Sequence, residues 1–369
     1  MAAQDTGSVD WSACLVAEGV IANSYDDGDI GCYEFGRGRY AQTLTRGIPH
    51  KAVVSQMCMV SKGVLASAYS DGSIVLWDLN IGESIMVLSG RSPVHSACCV
   101  LCMVSPTLLA ASGSKDIRVW DVRSGECVSV VNVGSVCSVL CLASETLLAC
   151  GLENGHVELW EMMITTTTIP GAEVKCVRSI KCHRRDVLAL CMVSDRVIAT
   201  GAANDSLIKF WDIYTGNLVR NINSSRIDVR CLCMVSASVL ASGCYFGSVM
   251  LWDVRTGNRI CHSKGGVGKV RQLFMIEPGV LASCCETVTR WKLNNGPLCR
   301  LWESETGSAG SAYTTALILP GERRCTFSRS AYNVVCAGIR DNIIKSRTHR
   351  MNGHLAFPPH VLSEIGTFL

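Results

Sequence analysis

The stretch CMVSKGVLASAYSDGSIVLWDL, residues 58–79, decides how the rest of the chain is read. It holds short apolar runs rich in Val, Leu, Ile and Trp, separated by Lys62-Gly63 and by Ser70-Asp71-Gly72-Ser73. Runs of that length, broken by Gly, Asp and Ser, read as strands joined by tight turns. No sustained helical period runs through it. The string recurs as CMVSPTLLAASGSKDIRVWDV (102–122), CLASETLLACGLENGHVELWEM (141–162) and CMVSDRVIATGAANDSLIKFWDI (191–213). CMVSASVLASGCYFGSVMLWDV (233–254) and FMIEPGVLASCCETVTRWKL (274–293) follow, and a weaker copy, CLVAEGVIANSYDDGDIGCYEF (14–35), precedes them all. The landmarks Tyr33, Trp77, Trp120, Trp160, Trp211, Trp252 and Trp291 are spaced by 44, 43, 40, 51, 41 and 39 residues. A fourth strand follows each third one, as in ESIMVL (83–88) and ECVSVV (126–131). Four-stranded units at this period, closing on Trp-Asp, describe propeller blades.

These units resemble WD40 repeats. The resemblance rests on Trp77-Asp78, Trp120-Asp121, Trp211-Asp212 and Trp252-Asp253, on the variants Trp160-Glu161 and Trp291-Lys292, and on a Leu/Ile-Ala segment upstream of each. It implies an all-β, closed propeller of seven or eight blades over residues 11–350, in which 314–350 is a degraded last unit. Residues 1–10 are a short N-terminal segment and 351–369 a C-terminal extension. The family's hydrogen-bond tetrad maps onto His50, Ser67, Asp71 and Trp77, and onto His183, Thr200, Asp205 and Trp211 with one extra residue in the turn. A buried indole N–H and hydroxyl need partners, which a His–Asp pair can complete. Other units depart from the pattern, with Asn154 or Phe246 at the Asp position, so those blades are expected to rely on packing.

Composition agrees with a large folded core: 369 residues, 48 % hydrophobic and 18 % charged, exclude a disordered chain. Lys plus Arg is 34 against 31 Asp plus Glu, a net charge of +3, without the concentrated basic footprint that nucleic-acid binding requires. The opening MAAQDTGSVD shows neither a basic n-region nor an apolar h-region, so the expected location is intracellular, cytoplasmic or nuclear. The uncharged run Ser92–Ser114 is long enough to cross a bilayer, but Pro93, His95 and Pro106 interrupt it, and it reads as two buried strands. The first 36 residues carry acids and no Lys or Arg, whereas 323–350 is basic, an opposition expected to favour ring closure.

The 22 cysteines could mean disulfides, zinc or small core residues, and the repeat decides. Cys58, Cys102, Cys141, Cys191 and Cys233 occupy one place in five units, so they are spread around a ring and cannot converge on one ion. Cys99 and Cys102 have metal-like spacing but no second CxxC to complete a site. No cofactor or metal is expected. The chain contains no GxSxG, P-loop or HExxH, so no enzymatic chemistry is expected either.

What remains is recognition by loops on a rigid scaffold. Tyr245 and Phe246 stand in a second-to-third-strand turn where other units carry Ser-Asp or Glu-Asn; they are either tucked against a neighbouring blade or exposed as an anchor. Arg184, Arg185, Arg226 and Lys269 come from loops on the same face and could form a basic rim for an acidic or phosphorylated peptide. Thr165–Thr168 falls in an enlarged loop between third and fourth strands. Arg123 and Arg255, within Trp-Asp-Val-Arg, resemble the signature of propellers that dock on cullin-type ubiquitin-ligase adaptors. The expectation is a non-catalytic protein-interaction scaffold. A ligase substrate receptor is the alternative within that class, and a ribonucleoprotein-associated propeller the alternative outside it. FPPHVLSEIGTFL (357–369) resembles the first helix of an F-box, and reads more simply as a closing helix with Val361, Leu362, Ile365 and Leu369 on one face.

Overall fold

The structure, a computed structural model, describes residues 12–305 except 18–19, 26, 35–38, 47–51, 89–99, 166–170, 225–227, 265–267, 286 and 294–297, together with 315–317 and 325–327. The described chain is a seven-bladed propeller built of strands alone. Blade 1 contains β1 (Ala13–Ala17), β2 (Val20–Ser24), β3 (Ile30–Glu34) and β4 (Arg39–Leu44). Blade 2 contains β5 (Val54–Ser61), β6 (Val64–Tyr69), β7 (Ile74–Asp78) and β8 (Glu83–Leu88). Blade 3 follows with β9 (Leu101–Met103), β10 (Leu108–Ser112), β11 (Asp116–Asp121) and β12 (Cys127–Asn132). Blade 4 has β13 (Cys137–Ser144), β14 (Leu147–Leu152) and the long hairpin β15 (His156–Thr165) and β16 (Gly171–Lys181). Blade 5 has β17 (Val187–Met192), β18 (Val197–Ala202), β19 (Leu207–Asp212) and β20 (Leu218–Asn223). Blade 6 has β21 (Val229–Ser236), β22 (Val239–Cys244), β23 (Ser248–Asp253) and β24 (Arg259–Lys264). Blade 7 has β25 (Gln272–Glu277), β26 (Val280–Cys284), β27 (Thr287–Leu293) and β28 (Leu298–Glu305).

Among the described residues the degraded last unit founds no eighth sheet. Its strands β29 (Thr315–Leu317) and β30 (Cys325–Phe327) add to the outer edge of β28, making blade 7 six-stranded. The Pro93–His95 half of the uncharged run, the loop 166–170, most of the basic stretch 323–350 and the segment 351–369 lie outside the described residues. The other half of the uncharged run is β9 and β10, and among the described residues no helix is long and apolar enough to cross a membrane.

One register unites the blades. Each landmark side chain sits opposite the aliphatic residue of the Leu/Ile-Ala segment: Ile21–Tyr33, Leu65–Trp77, Leu109–Trp120, Leu148–Trp160, Ile198–Trp211, Leu240–Trp252 and Leu281–Trp291. Towards the fourth strand, the register slips at the residue before every landmark, from Cys32/Tyr33 to Arg290/Trp291. Such bulges sharpen strand twist, which sheets stacked face to face around an axis need.

Second strands are buried along nearly their whole length, because a neighbouring blade covers each face. Their Ala, Ser and Gly content follows from the close approach. A Cβ at Gly201 would lie 2.5 Å from Val229 Cγ1 of the next blade, and one at Gly243 would lie 2.6 Å from Val270 Cγ1. Fourth strands face outward and stay largely exposed. The apolar core therefore divides into seven clusters, each bridging two adjacent blades. The last of these closes the ring by packing Ala13 and Ile21 of blade 1 against Ile276, Val280 and Ala282 of blade 7. The Ala13 backbone N–H also donates to Gln272 Oε1 at 2.7 Å. Every described blade is one uninterrupted stretch of chain, so no strand is exchanged across the seam.

The aspartate of Trp-Asp holds the lower turns. Asp78, Asp121, Asp212 and Asp253 each accept, through Oδ1, a backbone N–H two residues on, at 2.8–2.9 Å. Arginines of the preceding blade clasp those turns. Arg178 donates to Tyr214 O at 2.6 Å, and Arg220 donates to Val254 O and Arg255 O at 2.7 and 2.6 Å.

Candidate functional site

Turns between second and third strands, and loops before each first strand, open on one face, called upper here. Blade 5 anchors this face with a complete tetrad. His183 Nδ1 lies 2.8 Å from Asp205 Oδ2, His183 Nε2 lies 2.7 Å from Thr200 Oγ1, and Trp211 Nε1 donates to Thr200 Oγ1 at 3.2 Å. Burial pushes the imidazole below its ordinary pKa, partly opposed by Asp205, so His183 is neutral at pH 7. Nδ1–H then donates to the carboxylate, and Nε2 accepts the threonine O–H. Burial alone would raise Asp205, but bonds from His183 and Lys209 hold it below the usual carboxylate value. The extra turn residue is Asn204, at φ 51°, a left-handed conformation that Asn tolerates.

Blade 2 shares the indole-to-hydroxyl bond of that network. Trp77 Nε1 donates to Ser67 Oγ at 2.8 Å, but Asp71 is taken by Arg46 at 2.9 Å and by Ser73. His50 lies outside the described residues. Trp252 and Trp291 donate to Ser242 and Ser283, both at 2.8 Å. The buried Trp120 and Trp160 indole nitrogens have no hydrogen-bond partner among the described residues. The cysteines of the inner strands are packing residues with inert thiols: burial raises Cys102 and Cys191 to about 12 and Cys233 to about 11. Among the described residues no group of three or more His, Cys, Asp or Glu is placed to hold a metal ion.

The Tyr245–Phe246 turn divides its two rings between the two roles the sequence left open. Tyr245 is half-buried, with the Lys269 ammonium 4.9 Å and the Arg230 guanidinium 5.0 Å from its ring centre. Phe246 packs edge-on against it at 5.2 Å and remains 66 % exposed. The turn is fixed locally by Gly247 at φ 74° and across blades by Val270 N–H donating to Cys244 O at 3.0 Å, which brings Lys269 to the ring. Cations over a tyrosine face are stabilised by its quadrupole. Arg184 and Arg185 are exposed on the upper loop of blade 5, one blade away from this cluster. Arg226 lies outside the described residues.

The first strands surround a central channel of about 700 Å³. Arg230, absent from the sequence reading, lines it together with Arg271, Glu153 and Asp186. The missed signal is an arginine at one repeat position in successive units: Arg230 and Arg271 stand three residues before Cys233 and Phe274, where blades 2 and 4 carry Ser55 and Ser138. On the lower face Arg123 and Arg255 are exposed on blades 3 and 6, with two blades between them, so they form no common patch.

Comparison with known proteins agrees with this geometry. The pattern of the WD40 family (WD domain, G-beta repeat) matches residues 174–212, which end on the blade 5 Trp-Asp. Blade 5 thus matches the WD40 repeat, within a seven-bladed propeller. This propeller resembles the crystal structure of the computationally designed Ika8 protein, at 20 % identity and a TM-score of 0.62, over 84 % of this chain and 94 % of that one. It also resembles a chain in a crystal structure of the mitotic checkpoint complex, at 16 % identity and a TM-score of 0.64, over 77 % of this chain and 86 % of that one. Both likenesses show the fold alone. No curated protein sequence matches the chain significantly.

Proposed function

We propose that this WD40 propeller is a non-catalytic scaffold within a larger complex, and that its upper face grips an acidic or phosphorylated segment of a partner protein. WD40 propellers in general are interaction domains, and a chain of the same fold occurs in a checkpoint complex. The observation that carries the reading is the exposed Phe246, set beside a tyrosine flanked by Arg230 and Lys269. An aromatic anchor next to fixed cations suits a segment carrying both an apolar side chain and negative charge. The packed thiols fit a reducing location, the cytoplasm or the nucleus.

The test is an array of acidic and phosphorylated peptides probed with the purified chain. Binders should lose affinity about tenfold or more with Phe246→Ala and with Lys269→Glu, at unchanged Tm. Binding indifferent to both substitutions would overturn the reading.

A further inference from the structure

Blade 4 departs from its siblings at two positions that touch. In blades 2, 5 and 6 the first strand carries Val54, Val187 and Val229 at one register position, and the second strand carries Ser67, Thr200 and Ser242 at another. Blade 4 has Cys137 and Cys150 in those two places. The hydroxyl of each sibling accepts the N–H of its tryptophan, from Trp77, Trp211 and Trp252. A thiol is a weak acceptor, and the Trp160 N–H has no hydrogen-bond partner among the described residues. What blade 4 has instead is a thiol against a thiol. The register shifts between Cys137 and Val139, and there the two sulfurs meet at 2.7 Å, both side chains fully buried.

The pair has a direction. Cys150 donates its S–H to Cys137 Sγ, and Cys137 in turn donates to Val139 O at 3.4 Å. Burial first, then Cys137 and Glu158, push the Cys150 thiol up, so Cys150 keeps its proton. A donor aimed at the Cys137 sulfur stabilises negative charge there, which makes Cys137 the attacking sulfur. Access comes from the channel side. Cys137 opens β13, and its chain neighbours Ser138 and Val139 line the channel. A molecule the size of peroxide thus needs only a local opening at the start of the strand.

We propose that Cys137 and Cys150 are a modification site, a buried dithiol that hydrogen peroxide converts reversibly to a disulfide, locking β13 to β14. Cys137, its proton given up to solvent, attacks one peroxide oxygen. The O–O bond breaks, leaving a sulfenic acid on Cys137 and a hydroxide that takes up the proton. The Cys150 sulfur then attacks the Cys137 sulfur, and its own proton leaves with the sulfenic hydroxyl as water. Two thiols have lost two electrons, and peroxide has become two water molecules. Two equivalents of a small thiol reverse the change and become a disulfide themselves. The bond joins residues thirteen apart in the chain and restricts the opened hairpin, so it stabilises a blade that lacks the indole bond. The inference is independent of the upper-face reading.

The experiment uses the full chain, reduced and freed of reductant. N-ethylmaleimide first caps accessible thiols, among them the exposed Cys127 and Cys176. Hydrogen peroxide follows, and after catalase the chain is denatured and its remaining thiols take an isotope-coded maleimide. Cleavage after Lys, Arg and Glu parts Cys137 from Cys150 at Glu145, so a linked peptide pair in mass spectrometry, with Cys141 carrying a maleimide, reports the bond. The wild type should show this link and a Tm raised by about 3–5 °C, both reversed by dithiothreitol. Cys137→Val installs the residue that blades 2, 5 and 6 carry and should abolish both effects; Cys150→Ser serves if that variant lowers the Tm. Capping of either thiol in the native step, both thiols keeping the isotope-coded label after prolonged peroxide, or a bond that forms only in urea overturns the inference. So does a linked chain whose Tm is unchanged or lowered, or a reversible Tm shift that persists in Cys137→Val.

Discussion

Blades 4 and 5 are neighbours with the same strand order and the same tryptophan register, yet they secure that tryptophan by different means. In blade 5, Trp211 donates to Thr200, and Thr200 to a neutral His183 braced by Asp205. In blade 4 the hydroxyl position is Cys150, ten residues before Trp160, as Ser67 stands before Trp77 and Ser242 before Trp252. Cys150 lies against Cys137, Sγ to Sγ at 2.7 Å, and leaves the Trp160 indole N–H without a hydrogen bond. The indole faces the Glu158 carboxylate, whose pKa burial raises and the indole partly lowers again. Blade 4 is therefore held by packing through Leu148, Leu152, Met162 and the facing residues of blade 3. Blade 5 adds a polar network to similar packing. A shared fold does not require a shared device, because face-to-face burial between blades supplies most of the stability and the tetrad a local increment.

The comparison can be broken at the tryptophans themselves. Trp211→Ala should cost on the order of 3–5 kcal/mol in chemical denaturation, and Trp160→Ala measurably less, since it breaks no indole hydrogen bond. Equal losses would show that the network contributes nothing beyond packing. Next in size, Thr200→Val strands both the Trp211 N–H and the His183 acceptor, and should cost about 1–3 kcal/mol at little change in volume. Cys150→Ser puts a hydroxyl where Trp160 lacks a partner and should raise stability by about 0.5–1.5 kcal/mol. A loss there would mean that the Cys137–Cys150 contact matters more than the unpaired indole.

The smallest effect is the pH dependence. The folded His183 pKa lies below its ordinary 6.5, so the unfolded chain takes up the proton first. The stabilisation is complete above that value and is lost as pH falls from there towards the folded pKa. Asp205, also lowered, adds a second loss of the same sign beginning below 3.8. Tm measured from neutral to mildly acid pH should fall more steeply for the wild type than for His183→Gln. Parallel slopes would contradict a buried neutral histidine.

Much of this was legible in the chain because it is written locally. Strand order, turn glycines and the landmark register follow from residues a few positions apart, and His183, Thr200, Asp205 and Trp211 fall within one unit. What acts between units was not legible. Arg178 and Arg220 clasp turns in the blade after their own, and Glu153, Asp186, Arg230 and Arg271 come to line one channel only in the folded ring. Asp71 reads as a tetrad member by spacing, and only the fold brings Arg46 of the preceding loop to it. An exposed ring and a tucked one, Phe246 and Tyr245, are also indistinguishable until the Lys269 loop is placed beside them.

The unexchanged seam bears on how such a molecule can change. Because each described blade is one contiguous stretch, copying a single segment of the gene would copy a whole sheet, with both faces that stack on its neighbours. A unit could be gained, lost or reshuffled without unpicking any strand pairing. Only the rim charges, which belong to particular blades in a particular order, would be scrambled.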